Sequence, residues 1–157
     1  MNKKYLILAA MFLISASSLV SGEMLKCTAK DWTQTSREAE PSNAPILIVF
    51  TADDCAYCEM LKQDVLNPMF EHDKHNKLAV VREVDINAGG KMTDFNGERI
   101  RSRQFKERYK IFATPTLLML DRDGKLLAGP IVGYSSKDEY RSLLESHLED
   151  YRITQIH

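Results

Sequence analysis

The chain has 157 residues, 44% of them hydrophobic, with 21 basic and 22 acidic side chains. That length gives room for one domain with a real core and no second. The near-neutral balance leaves nothing resembling a basic nucleic-acid surface, so nucleic acid is excluded as a partner.

The first 22 residues read as a signal peptide rather than as part of the domain. Lys3 and Lys4 make a short basic start, Tyr5 to Ile14 are apolar, Ser15 to Ser18 are small, and Val20-Ser21-Gly22 suits cleavage before Glu23. The apolar run is too short to span a bilayer, so no stable membrane insertion is expected after cleavage. The domain is then residues 23–157, with 19 basic against 22 acidic side chains and a net charge of −3. Export places it in an oxidising compartment, the periplasm, where a cysteine pair is either a structural disulfide or a working redox centre. Cys27 follows Leu25 and Lys26, which are wrong for a lipidated cysteine. It reads as a free thiol or an intermolecular contact.

In chain order, Ala29 to Ala39 reads as a short amphipathic helix with Asp31 near its start, ended by Pro41 to Pro45. Ile46 to Phe50 is an apolar, β-rich run that reads as a buried strand, and a helix follows from the cysteines to about Leu66, where Asn67-Pro68 should kink or stop it. A second short helical piece carries Met69, Phe70 and His75. Leu78 to Ile86 reads as a strand ended by Asn87-Ala88-Gly89-Gly90. Lys91 to Arg103 lacks clean periodicity and reads as a loop or hairpin insertion, before a helix over Ser102 to Tyr109. Thr116 to Leu120 and Lys125 to Ala128 flank Asp121-Arg122-Asp123-Gly124, a hairpin whose Asp-Gly supplies the positive-φ position. Gly129 to Gly133 ends its second arm. A last helix is capped at Ser135 or Ser136, with Glu139 completing a capping box and Tyr140, Leu143, Leu144 and Leu148 as its buried stripe. Strands separated by helices demand parallel crossovers, and the hairpin adds an antiparallel edge. The expected fold is α/β, a mixed central sheet flanked by helices on both faces.

The chemistry concentrates at Cys55-Ala56-Tyr57-Cys58, where the strand hands over to the helix. Unpaired N–H groups and the positive end of the helix dipole favour a thiolate there. Exchange needs an exposed, partly ionised attacking thiol and a second thiol to release the mixed disulfide. Cys55, on the loop side, fits the first role, and Cys58, one turn inward, fits the second. Tyr57, between them, must lie near the exposed face and within reach of a substrate.

This layout, together with Ala113-Thr114-Pro115-Thr116 ahead of the hairpin, resembles the thioredoxin superfamily from about Asp31 to about Leu148, and in particular its exported bacterial members. The resemblance implies a thioredoxin fold and a thiol–disulfide oxidoreductase. It further implies a cis Pro115 packed against the cysteine pair, and a Thr114 whose backbone hydrogen-bonds a bound substrate chain. The implied partners are a protein thiol or disulfide and a membrane dithiol that donates electrons. No organic cofactor is implied, because the cysteine pair is itself the redox group. A reducing role is favoured over oxidation or isomerisation.

Three departures from the family pattern matter. Val49 stands where thioredoxin has a buried aspartate, leaving Glu59, Asp54 or a water to accept the proton of the resolving thiol. The Ala56-Tyr57 pair lacks the histidine of strong oxidants. Asp53 and Asp54 oppose thiolate formation, so Cys55 is expected to be only moderately more acidic than a free cysteine.

Rival readings are a structural Cys55–Cys58 disulfide, a binding module without redox turnover, and a metal site. A loop this short gives a structural disulfide little entropic advantage. His72 and His75 follow the cysteines at nearly zinc-finger spacing, but one residue too close together and in a polar patch, so no metal is assigned. Arg99, Arg101, Arg103, Lys106, Arg108 and Lys110 read as a solvated helix face. Trp32, Phe50, Phe70, Phe105, Tyr109 and Phe112 read as core. The Gly89 to Arg103 insertion is the expected carrier of partner choice.

Overall fold

Ile46–Thr51, β1, is buried along its whole length because it lies second in a four-stranded sheet and has helices on both faces. The computed structural model describes residues 29–71, 73 and 77–156. The signal segment, Cys27 and the His72/His75 pair lie outside the described residues. The chain runs α1 (Trp32–Ala39), β1, α2 (Ala56–Leu61), α3 (Asn67–Phe70), β2 (Val80–Asp85), β3 (Lys91–Thr93), β4 (Arg99–Arg101), α4 (Ser102–Arg108), β5 (Thr116–Leu120), β6 (Leu126–Val132) and α5 (Lys137–Thr154). The main sheet has the order β2-β1-β5-β6, with β1 parallel to β2 and antiparallel to β5, and β5 antiparallel to β6. It is the mixed sheet the sequence demands. Among the described residues no helix is long and apolar enough to cross a membrane.

The period-2 alternation of β1 sorts the core into two halves. Leu47 and Val49 cluster with Leu61, Val65, Phe70, Tyr140, Leu144 and Leu148 from α2, residues 62–66 after it, α3 and α5. Ile46, Ile48 and Phe50 face Trp32, Ala39, Met92 and Phe105 from α1, β3 and α4. Both halves are strictly apolar in β1, which is why the strand shows no polar position until Thr51.

Four local expectations are corrected. Of the kink or stop expected at Asn67-Pro68, the stop does not occur: Lys62–Leu66 forms a π turn that carries α2 directly into α3. The wider turn accommodates a proline that lacks an N–H and would crowd the carbonyl four residues back in a regular α-helix. Likewise, β6 continues through Gly129-Pro130 to Val132 instead of ending there, with a break in register opposite Leu118 and a cis Gly129–Pro130 bond. As an edge strand it can tolerate a residue with no N–H to give. Leu143 is exposed, since the stripe of α5 is the four-residue repeat Tyr140, Leu144, Leu148. Phe112 is 85% exposed, lying in the connection after α4, where no helical or strand periodicity turns it inward.

The insertion is the β3–β4 hairpin, and it is bound into the core. Trp32 stacks on Phe105 and Phe95 with centroids 4.8 and 5.3 Å apart, and its indole N–H points at Met92 Sδ at 3.3 Å. Phe95 also lies against Gly124, where an added Cβ would come within 2.4 Å of the ring, so the Asp-Gly turn needs its glycine for space as well as for φ +81°. The basic run is exposed, Lys106 only in part, but it is not one helix face, since Arg99 and Arg101 lie on β4. Arg108 binds Asp94 bidentately, Lys106 donates to the Ile86 carbonyl, and Arg103 pairs with Glu107.

Candidate active site

The site is built at the end of the sheet where β1 finishes and β5 begins. Phe50 pairs with Thr116, so the residues after Thr51 and those before Thr116 come to the same edge. Cys55 and Asp54 lie in the first segment, and Thr114 and Pro115 in the second. Asp53 and Asp54 turn the chain, with Asp54 at φ +57°, so that Cys55 arrives as the N-cap of α2 in extended conformation. Its carbonyl accepts the N–H groups of Cys58 and Glu59 at 3.0 and 3.2 Å, and its Sγ faces the Cys58 N–H at 3.3 Å. That amide, shared between the Cys55 carbonyl and sulfur in the first turn, favours negative charge on the sulfur.

Cys55 and Cys58 are joined as a disulfide. The two sulfurs differ in surroundings, as their positions on the helix require: Cys55 is partly exposed, whereas Cys58 is 1% exposed. Tyr57 projects outward at 60% exposure. The Thr114–Pro115 bond is cis, Thr114 is half-buried and Pro115 is buried. The loop is fixed from both sides, by Thr116 Oγ1 donating to the Ala113 carbonyl at 2.8 Å and by the Gly133 N–H donating to the Pro115 carbonyl at 2.8 Å. All five expected site residues therefore gather at one sheet end. Asp53 and Asp54 are exposed beside them and add acidic charge to the rim.

Two features were missed by sequence reasoning. Phe112 stands in the open three residues before Pro115. The second is a set of polar groups on the α2 side of the sheet: Thr51 Oγ1 donates to Glu83 Oε1 at 2.8 Å, and Lys62 Nζ reaches the same oxygen at 3.4 Å and Glu59 Oε1 at 2.6 Å. Burial alone would lower the pKa of the Lys62 ammonium, but its hydrogen bond to Glu59 and the Glu83 charge outweigh that and raise it. The signal was the strand parity. Glu83 lies opposite Val49 in the register, on the face that β2 turns toward α2.

The profile of the thioredoxin-like domain family matches residues 32–148. No curated protein sequence matches the chain significantly. Among solved structures, a thioredoxin-fold protein from Helicobacter pylori is 24% identical with a TM-score of 0.54, covering 66% of this chain and 68% of its own. A thioredoxin mutant from Halobacterium salinarum is 20% identical with a TM-score of 0.51, covering 78% of this chain and 89% of its own. Mitochondrial thioredoxin 3 from Saccharomyces cerevisiae, in its oxidised form, is 18% identical with a TM-score of 0.51, covering 79% and 93%. These likenesses establish the fold, and the family match covers everything from α1 into α5. With its cysteine pair closed at the mouth of α2, the chain belongs to the thioredoxin-like family and is a thiol–disulfide oxidoreductase of that kind.

Proposed function

We propose that the protein reduces disulfides in exported proteins, working in the periplasm after its signal peptide is removed, with Cys55 as nucleophile and Cys58 as resolver. The observation that carries this reading is the asymmetry of the pair: one sulfur partly open at the helix mouth, the other buried one turn deeper. In the dithiol form the Cys55 thiolate attacks a substrate disulfide sulfur, the substrate's S–S bond breaks, and one substrate sulfur leaves as a thiolate. Cys58 then attacks Cys55 Sγ, closing the observed disulfide and releasing the second substrate thiol. Two electrons have passed to the substrate. A membrane dithiol donor restores the pair by the reverse exchange.

Thr114 and Pro115 shape the groove in which a substrate chain lies, with Thr114 offering backbone hydrogen bonds and Tyr57 touching the substrate from the other side. A reducing direction fits a site with no histidine between the cysteines and with Asp53 and Asp54 on its rim, because neither feature stabilises the thiolate form that makes a strong oxidant. The experiment is to trap the intermediate. A Cys58→Ser variant, reduced and mixed with insulin, should accumulate a mixed disulfide on Cys55, while the unsubstituted protein turns insulin over with dithiothreitol as donor. Neither trapping nor turnover would leave the cysteines as a static feature of a binding module.

A further inference from the structure

Resolution of a mixed disulfide requires the second thiol to lose its proton, and Cys58 is nearly sealed from solvent. Of the carboxylates around it, Asp54 and Glu59 are exposed, and Glu59 is held outward by Lys62. Glu83 is different. Its side chain is 18% exposed, it springs from the strand beside β1 at the register position of Val49, and its Oε1 is held by Thr51 Oγ1 and Lys62 Nζ. The Lys62 N–H donates to the Cys58 carbonyl, so the two residues are successive turns on one side of the helix, and both are turned away from solvent. Thr51 is the last residue of β1, four before Cys55. Thr51 Oγ1 and Lys62 Nζ thus hold the Glu83 carboxylate at the end of β1, on the sheet face that α2 covers, beside a lysine whose backbone is one helical turn from the resolving cysteine. A carboxylate this enclosed is costly unless paired, and the exchange of electrons at Cys55 makes no use of it.

We infer that Glu83 receives the Cys58 proton during resolution, through a water between them, with Thr51 and Lys62 holding the carboxylate in place; this rests on the exchange reading above. The Cys58 S–H bond breaks and the proton passes to Glu83. The freed electron pair on Cys58 Sγ forms the bond to Cys55 Sγ. The bond from Cys55 to the substrate sulfur breaks, and its pair leaves on the substrate, which departs as a thiolate. The two cysteines are oxidised by two electrons in all and the substrate is reduced by two. Glu83 then returns its proton to solvent. The charged groups around Glu83 are Lys62, which contacts it, and through Lys62 the Glu59 carboxylate; Cys58 lies one helical turn before Lys62, and Asp85 is next along the same strand face, its Oδ1 accepting the Asn87 N–H at 2.8 Å.

The test is a single-turnover reaction of the reduced full chain, in a Cys27→Ser background, with 5,5′-dithiobis(2-nitrobenzoate). Attack by Cys55 releases one thionitrobenzoate and resolution by Cys58 releases the second. Glu83→Gln should leave the first release unchanged and slow the second roughly tenfold or more at neutral pH. In that variant the second rate should climb with hydroxide concentration where the parent protein's is nearly flat, and Glu83→Asp should recover part of it. An unchanged second phase, or one slowed equally at every pH, would overturn the inference while leaving the exchange reading intact. No release at all from the reduced parent protein would overturn both. A second variant guards against misfolding of the first: Thr51→Val, which removes only a hydroxyl that holds the carboxylate, should slow the second release and not the first, and a second release unchanged in it would also overturn the inference.

Discussion

Asp94→Asn is the sharpest probe of how the β3–β4 hairpin is attached. Asp94 is 3% exposed, and its carboxylate accepts the Phe95 N–H at 2.9 Å and both ends of the Arg108 guanidinium, Nη1 at 2.8 Å and Nη2 closer still. The amide keeps the size and one backbone bond but loses the charge and half of the fork. Breaking a fully buried pair costs about 3–5 kcal/mol, but Arg108 can rehydrate at the surface, so about 2 kcal/mol is expected. For a domain of this size that lowers Tm by roughly 5–10 °C. The Arg108 hydrogen bonds hold the Asp94 carboxyl below the ordinary aspartate range despite its burial. A depressed folded-state pKa contributes stability that is full above the ordinary value and is lost as pH falls through the lowered one. Urea unfolding at pH 7 and in steps toward pH 3 should therefore show the gap between the parent protein and the variant narrowing on acidification. Equal stability at pH 7, or a gap that does not narrow, would refute the reasoning.

Three further outcomes are expected. The Tyr140 hydroxyl is buried with no hydrogen-bond partner among the described residues, so Tyr140→Phe should raise stability by about 1 kcal/mol in urea unfolding, and a loss instead would mean the hydroxyl is satisfied. Phe112→Ser should change stability by less than about 0.5 kcal/mol, because the ring is exposed, yet raise KM for a protein disulfide several-fold and spare a small one; equal effects on both substrates would contradict a role in docking. Removing residues 89–103 outright would take Met92 and Phe95 from the core. The fair test of partner choice is therefore Arg99→Glu with Arg101→Glu, on the outward side of the hairpin. It should alter rates on a protein substrate and leave a generic small disulfide unaffected, and a loss on both would sink that role.

Much of this architecture could be read from local pattern. β1 announces itself because a strand covered on both faces has no polar position to interrupt it. Asp31 and Ser136 were legible as helix caps because their side chains accept the Gln34 and Glu139 N–H groups. The Cys55/Cys58 site was legible because a strand, a cysteine pair and a helix in direct succession fix which sulfur faces outward. What escaped depended on neighbours distant in sequence. The π turn at Lys62–Leu66 is a compromise between Pro68 and the packing of Val65 and Phe70, which pattern alone cannot weigh. Leu143 was placed inside by a stripe drawn one residue too wide. Phe112 was assigned to the core on residue type, though it lies in no periodic element. Glu83 went unremarked because its meaning comes from Val49, set beside it by the register of β1 with β2, and from Lys62, which reaches it from the helical segment by an ion pair.

The most direct measurement is partial alkylation of the fully reduced protein with iodoacetamide at neutral pH, followed by peptide mapping. Cys55 should carry the label well before Cys58, by roughly tenfold or more given one sulfur at the helix mouth and the other sealed beneath it. Labelling of Cys58 first, or of both at equal rates, would contradict the division of labour on which the exchange mechanism depends.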